Sequence, residues 1–187
     1  MRSFVPLFVA AFVASAPALA TESVPVPQFR AIELHGGGVV NVVPGSTQRV
    51  TLVEGSSQFT RFRVDRGGKL VIGACNENCP RHYRLLIQIE MPSPLALGVN
   101  GGGLIQTGNG FPPQRAIGLG VNGGGKIDAR SIQVVNAGAA VNGGGEIFVR
   151  ASKTLAAAVK GGGEIRYWGN PVLATSVQGG GAVRRGQ

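Results

Sequence analysis

The sequence predicts an all-β protein, a single-stranded right-handed parallel β-helix of about eight coils with stacked glycine-rich bends. Three observations support this: a GGG triplet recurs, apolar residues hold fixed positions around it, and no window offers a credible amphipathic helix. The triplets begin at Gly36, Gly101, Gly123, Gly143, Gly161 and Gly179, and the last five follow one another after 22, 20, 18 and 18 residues. That period is typical of a solenoid in which each coil stacks on the one before.

The residues that flank the triplets predict strands that point into a common core. Two positions before the triplets stand Leu34, Val99, Val121, Val141, Val159 and Val177, and two positions after them stand Val40, Ile105, Ile127, Ile147, Ile165 and Val183. Runs such as Ile117–Val121 alternate with a period of two, and β-branched residues dominate these positions, which indicates strands. Ala151–Val159 has helix propensity, but its register with the other repeats overrides it.

The long interval between the first two triplets is expected to hold coils that have lost the glycines. It contains strand-like runs at Arg49–Glu54, Gly68–Ala74 and Tyr83–Met91. With a spacing of ~4.8 Å between strands, about eight coils would form a rod roughly 38 Å long. The alternative is a β-sandwich or barrel with hairpin connections, since strands at short, even spacing also indicate those folds.

The first twenty residues are typical of a cleavable Sec signal peptide. Arg2 is followed by an apolar run over residues 4–16 and by the small-x-small site Ala18-Leu19-Ala20. An uncleaved anchor would need about 20 apolar residues. We therefore expect residues 1–20 to be removed and residues 21–187 to form one domain, in the periplasm or secreted. No cysteine follows the site to carry a lipid, and no transmembrane segment is expected after cleavage.

The charge of the chain predicts acidic partners. Arg2 is the only charged residue of the signal peptide, so 17 of the 18 lysines and arginines remain against 9 acidic residues. A basic secreted protein tends to meet an acidic polysaccharide or an anionic envelope surface; no nucleic acid is expected. Open strand edges at the ends of a solenoid also predict a homo-oligomer, although Arg184 and Arg185 would discourage end-to-end stacking.

Both cysteines, Cys75 and Cys79, are expected to form a local disulfide, because disulfides persist in this compartment. A redox pair or half of a metal site are the alternatives. A redox motif would usually read C-x-x-C, and zinc would need two more ligands, for which the only histidines are His35 and His82.

No catalytic, cofactor-binding or metal-binding residue is predicted. Lys126 follows a glycine triplet but leads into a strand, whereas a phosphate loop needs G-x-x-x-x-G-K-[ST] at the start of a helix. Glu146 and Glu164 occupy the same position of adjacent coils and are the closest approach to a glycosidase carboxylate pair. We interpret them as a solvated corner that Lys126 partly neutralises.

The candidate ligand face consists of Arg130, Arg150 and Trp168, which stand seven residues after the first glycine of successive triplets. Stacked arginines repel one another, so such a column is favourable when an acidic ligand bridges it. The alternative is solvated strand ends with Trp168 packed on the last coil. The polar residues before the triplets include Asn100, Asn122 and Asn142, for which we expect a ladder of side-chain amides.

The repeats resemble the head GIN domain family, often labelled an auto-transporter adhesin head. The resemblance lies in the apolar strand, Gly triplet and Ile or Val of Val99–Ile105, Val121–Ile127, Val141–Ile147 and Val159–Ile165. It extends to the closing segment RYWGNPVLATSVQGGGAV, residues 166–183, and to the opening segment Phe29–Gly55. It implies a β-helical, non-enzymatic binding or interaction module of the bacterial cell envelope. The alternatives are a polysaccharide-active β-helix enzyme and a self-assembling structural rod.

Overall fold

The computed structural model describes residues 21–75 and 78–187, which are all-β. The predicted signal peptide, residues 1–20, lies outside the described residues. The strands are β1 (Glu22–Ser23), β2 (Ala31–Gly36), β3 (Val39–Pro44), β4 (Arg49–Glu54), β5 (Arg61–Val64), β6 (Lys69–Gly73), β7 (Leu86–Met91), β8 (Ala96–Gly101), β9 (Leu104–Thr107), β10 (Gln114–Gly123), β11 (Lys126–Gly143), β12 (Glu146–Lys160), β13 (Glu164–Trp168), β14 (Val172–Gln178) and β15 (Ala182–Arg185). Within this part of the chain no helix has the length and apolarity needed to cross a membrane.

The prediction of a single-stranded right-handed parallel β-helix is wrong. The described strands form one mixed 15-stranded sheet that curls into a half-barrel. Strand β4 pairs antiparallel with both β1 and β7, and β5 pairs antiparallel with β6. The order along the sheet also departs from the order along the chain, since β2 lies between β6 and β8 and β3 lies between β7 and β9. The strands before β8 therefore do not stack in chain order, whereas each coil from β8 onward pairs with the coil before it.

The directions of β4 and β6 have a physical cause in two short connections. Only residues 45–48 separate β3 from β4, and only residues 65–68 separate β5 from β6. A parallel return needs a crossover of about a dozen residues or more, so β6 runs antiparallel to β5 and β4 antiparallel to β3. Because β7 is parallel to β3, β4 is antiparallel to β7. The turn before β6 is fixed by Asp65, whose Oδ1 accepts hydrogen bonds from the backbone N–H groups of Gly67 and Lys69 at 2.9 and 3.0 Å.

Strands β11 and β12 hold the sheet together, because each runs through both halves of it. The start of β11 pairs with β9 and its later residues pair with β10. Strand β12 likewise pairs with β13 at its start and with β14 at its end. We call the half that contains β9 and β13 the first arm, and the half that contains β10 and β14 the second arm.

The core lies between the two arms and is built from the columns that the sequence predicted. On the second arm Val99, Val121, Val141 and Val159 stack in register. On the first arm Ile105, Ile127, Ile147 and Ile165 do the same and are fully buried. Both columns belong to one hydrophobic cluster. The inward columns and the strand assignment of Ala151–Val159 are confirmed.

The glycine triplets are the bends that join the arms, and packing explains why they are glycine. Gly123 has a φ of +114°, and a Cβ built on it would lie 2.8 Å from the carbonyl oxygen of Gly101 in the neighbouring coil. A Cβ on Gly125 would overlap a methyl group of Val99 and lie 2.7 Å from the carbonyl oxygen of Gly103. The bends therefore stack too closely for side chains.

The predicted disulfide between Cys75 and Cys79 is present, with a Cα–Cα distance of 6.1 Å. It closes a short loop that follows β6 and leads toward β7. Its place between two core strands makes it a local staple.

Candidate ligand-binding groove

A groove of about 630 Å³ runs over the outer surface of the first arm. It crosses the strands, from Gln88 on β7 to Trp168 on β13, and its lining includes Arg130 and Arg150. The structure therefore brings all three residues of the predicted ligand face to one concave surface. Their role in binding a ligand stays a prediction.

A bulge in β11 sets the positions of the two arginines. Arg150 and Trp168 are register partners on β12 and β13. Ala129 pairs with Val149, but the next partner of β12 is Gln133, so residues 130–132 have no place in the regular ladder. Arg130 therefore projects from a bulge beside the Arg150–Trp168 pair and does not stack under it.

The guanidinium of Arg130 is held in place from two sides. Its Nε and Nη2 donate to the Oδ1 and Oδ2 of Asp128 at 2.9 and 2.5 Å. Its Cζ also lies 5.1 Å from the ring centroids of both Phe148 and Trp168. Such a cation over aromatic faces is stabilised electrostatically. The side chain of Arg130 is thus oriented before any ligand arrives.

The Asp128–Arg130 pair also determines the protonation of the carboxyl group. Burial opposes ionisation of Asp128, but the hydrogen bonds and positive charge of Arg130 outweigh it and hold the pKa of Asp128 below its ordinary value. The same pairing raises the pKa of Arg130. Both groups are therefore charged at neutral pH and largely cancel each other.

Trp168 is packed more closely than a sugar-stacking platform would be. Its Nε1 donates to the carbonyl oxygen of Gln187 at 3.0 Å, and the backbone of Gly186 lies against its six-membered ring. Its ring meets that of Phe148 edge to face, with centroids 5.9 Å apart. The indole thus serves mainly to position Arg130 and to close one end of the groove.

Arg150 is the uncompensated charge of the groove. Its side chain is exposed, and within residues 21–75 and 78–187 it makes no hydrogen bond or ion pair. Since Asp128 neutralises Arg130, the groove carries a net positive charge located at Arg150. An unpaired guanidinium offers five N–H donors in a planar fork, which suits a carboxylate, sulfate or phosphate oxygen pair.

Polar uncharged groups form the rest of the groove wall. The Nε2 of Gln106 donates to Oδ1 of Asn41 at 2.7 Å, and the hydroxyl groups of Thr107 and Ser131 lie 2.6 Å apart. Ser131 donates its hydroxyl proton to the carbonyl oxygen of Thr107, and Thr107 bonds to Ser131 and to the carbonyl oxygen of Asp128, so the two hydroxyl oxygens keep acceptor capacity. They can form hydrogen bonds with hydroxyl groups of a ligand.

The two stacked carboxylates lie beside the groove and are both ion-paired. Glu146 and Glu164 are register partners, as the sequence predicted. The Nζ of Lys126 lies 3.0 Å from Oε2 of Glu146, and the Nε of Arg166 lies 2.9 Å from Oε1 of Glu164. The hydrogen bond from Arg166 lowers the pKa of Glu164. The interpretation that Lys126 partly neutralises this corner is confirmed for Glu146, whereas the cation beside Glu164 is Arg166.

The polar column before the triplets stacks in register but forms no ladder. Asn100 pairs with Asn122 and Asn122 with Asn142. Among the hydrogen bonds of the described residues none joins these side chains, so the expected amide ladder is wrong. His35, in the same column, instead binds Oε1 of Glu33 through Nε2 at 2.8 Å.

Sequence analysis missed Asp128 as part of the groove wall and Phe148 as the ring that lies under Arg130. Phe148 lies between the inward residues Ile147 and Val149, so it points outward, yet only 8% of it is exposed. Arg130, Lys126 and Trp168 cover its ring. The sequence does place an aromatic residue at this outward position, which could have predicted that other side chains cover it.

Residues 114–171 match the family model described as "Putative auto-transporter adhesin, head GIN domain". No curated protein sequence matches the chain.

Three solved structures illustrate the structural likeness. A "putative adhesin" from Bacteroides fragilis is 18% identical, with a TM-score of 0.54 over 89% of this chain and 96% of that chain. A "putative adhesin" from Parabacteroides merdae is 14% identical, with a TM-score of 0.39 over 90% and 96% of the two chains. A "Putative lipid binding protein" from Parabacteroides distasonis is 16% identical, with a TM-score of 0.37 over 90% and 96%.

The structural likeness to the Bacteroides fragilis protein supports the fold alone, whereas the family match includes β10, β11, β12 and β13 with the residues Arg130, Arg150 and Trp168. The resemblance first seen in the glycine triplets is thus confirmed over residues 114–171, which match the head GIN domain family model.

Proposed function

We propose that this protein is a non-enzymatic binding module of the bacterial cell envelope that holds an acidic polysaccharide in the first-arm groove. The observation that carries the proposal is the unpaired guanidinium of Arg150 beside the preoriented guanidinium of Arg130. A ligand that supplies an anionic oxygen pair to Arg150 would relieve the uncompensated charge. Adhesin is the description of the family and of similar structures, which supports an envelope or secreted location and a binding role.

The shape of the groove favours a polymer over a small anion. It crosses six strands of the first arm, from β7 to β13, which at ~4.8 Å per step amounts to about 24 Å. Amide and hydroxyl groups of Asn41, Gln106, Thr107 and Ser131 face it along this length. Sugar hydroxyl groups can form hydrogen bonds with such groups, while the acidic substituents meet the arginines. A membrane surface would instead fit a broad basic face, not a concave one.

An enzyme acting on polysaccharide has less support. Each of the stacked carboxylates Glu146 and Glu164 is bound to a cation, and the pKa of Glu164 is lowered. A general acid of a glycosidase needs a raised pKa. The geometry thus favours binding without turnover.

Retention on immobilised heparin, an acidic polysaccharide, tests the proposal. Arg150→Ala should elute at a clearly lower salt concentration than the unchanged protein, because it removes the free cation of the groove. Arg115→Ala is the matched control: it removes an exposed arginine from β10 on the second arm. Asp128→Asn should elute later, because it releases Arg130 and adds one positive charge.

The Arg115→Ala control separates an effect of the groove from an effect of net charge. Equal losses for Arg150→Ala and Arg115→Ala would mean that net charge alone drives retention, and the groove would be rejected. Binding to vesicles of anionic phospholipid that matches or exceeds heparin binding, and depends equally on Arg150, would reject a polysaccharide as the ligand. Measured cleavage of an acidic polysaccharide would overturn the non-enzymatic part.

A further inference from the structure

The four free edges of the described sheet differ in how they are protected. The first arm ends at β1, which is two residues long, and at β15, which carries Arg184 and Arg185. The second arm ends at β5, which carries exposed Arg61 and Arg63, and at β14. Short strands and charged side chains are the means by which proteins prevent edge pairing. Three of these edges have such protection and β14 has none.

Strand β14 exposes the end of the core. Its seven residues, VLATSVQ, contain no charge, and among the described strands its backbone pairs only with β12. Leu173 is 41% exposed, whereas its register partner Leu155 in the preceding coil is fully buried. Val177 is 44% exposed and its partner Val159 only 2%. The inward columns of the second arm thus reach solvent at this strand.

We propose that β14 pairs antiparallel with β14 of a second copy of this chain about a two-fold axis at Thr175. In that register Leu173 of each copy lies opposite Val177 of the other, so the two exposed residues of the inward column are covered at once. The backbone N–H and C=O groups of the two edges pair with each other. Such a contact is isologous and closes at the dimer. This dimer does not depend on the groove or on its ligand.

Electrostatics favours pairing through β14 over pairing through another edge. Because β14 is uncharged, two copies of it bring no like charges into contact along the new ladder. Pairing through β15 or β5 would bury arginine side chains at the contact. The same two-fold axis does bring the β15 edges of the two copies near each other. Repulsion between their arginines therefore opposes the dimer and is screened by salt.

The area available indicates a weak and reversible dimer. Seven residues span about 23 Å, and two packed arms with their side chains are about 20 Å wide, since sheets pack ~10 Å apart. The end of the protein then offers on the order of 450 Å² per copy, which is below the ~800 Å² of a standard stable interface. We expect dimers at high protein concentration, and more of them at high salt.

Sedimentation velocity from micromolar to millimolar protein, at low and high salt, tests the proposal. The expected result is a monomer–dimer equilibrium that shifts toward dimer as salt rises. Thr175→Lys, which places like charges opposite each other across the axis, should weaken dimerisation by at least ~10-fold. Its circular dichroism should match that of the unchanged protein, because β14 is an edge strand.

A cysteine cross-link tests the register directly. Thr175→Cys should form an intermolecular disulfide under mild oxidation, because directly opposite residues of antiparallel strands lie within disulfide distance. Val135→Cys, an exposed position of β11 away from the edge, should not. A monomer at every concentration, equal cross-linking of both variants, growth beyond dimers, or dimers that Thr175→Lys leaves unchanged would each overturn the proposal.

Discussion

Phe148 illustrates how one residue organises the groove. It occupies an outward position of β12 and would expose a large apolar ring without its neighbours. Lys126 lies 4.1 Å and Arg130 5.1 Å from its centroid, and the ring of Trp168 meets its edge. The aromatic pair thus fixes the arginine that Asp128 has already oriented. Arg150, two residues after Phe148 on the same strand, is left free to bind a ligand.

The close packing of the glycine triplets predicts the effect of adding a single methyl group. Gly125→Ala should lower the free energy of unfolding by about 2 kcal/mol or more, because its methyl group would overlap Val99 and the backbone of Gly103. Gly124→Ala is the control, since a Cβ there meets no atom within 4 Å. Urea denaturation of both variants gives the comparison. Equal stability of the two variants would contradict the packing explanation of the triplet.

The Asp128–Arg130 pair predicts a dependence on pH. Because the pKa of Asp128 is lowered in the folded protein, its ion pair contributes stability above the unfolded pKa of ~3.9. That contribution is lost as pH falls through the folded pKa. The difference in free energy of unfolding between the unchanged protein and Asp128→Asn should therefore be constant above about pH 5 and shrink toward pH 3. A difference that does not change with pH would contradict this assignment.

Among the elements, the repeated strands could be predicted from the sequence and the amino-terminal strands could not. Val121 and Ile127 hold their positions because each coil presents the same inward faces, so the period and alternation alone define those strands. Strand β4 has the same apolar alternation as a repeat strand, yet it pairs antiparallel with β7. Alternation defines which side chains point inward, but the direction of pairing depends on connection length, which the repeat period concealed.

The groove was predictable in part for the same reason. Arg150 and Trp168 share a column because both coils have the same length up to that point. The bulge at residues 130–132 is not visible as a change in the triplet pattern, so the projection of Arg130 could not be anticipated. The packing of Gly186 and Gln187 against Trp168 depends on the backbone path after β15 and has no pattern in the sequence.

Two equivalent leucines test the difference between a central and a terminal strand. Leu155→Ala should destabilise the protein by about 2–5 kcal/mol, because Leu155 is fully buried within β12. Leu173→Ala, at the same position of β14, should cost much less in dilute solution because this residue is already 41% exposed. Thermal unfolding at micromolar concentration distinguishes them. Similar losses would mean that β14 is already covered in the monomer.

At the scale of the whole molecule, the two arms have different surfaces. The first arm carries the groove with its arginines, amides and hydroxyl groups. The second arm ends at the uncharged strand β14. A dimer through β14 would place two grooves on one particle, and a polymer that reached both would be bound more tightly than by either alone.

The most direct test of the central claim is an NMR titration of labelled protein with a defined acidic hexasaccharide of galacturonic acid. Shift changes should concentrate on the side chains of Arg150 and Arg130 and on the indole N–H of Trp168, and Arg150→Ala should greatly reduce them. Shift changes spread evenly over the basic residues of both arms, or unchanged in Arg150→Ala, would contradict the claim.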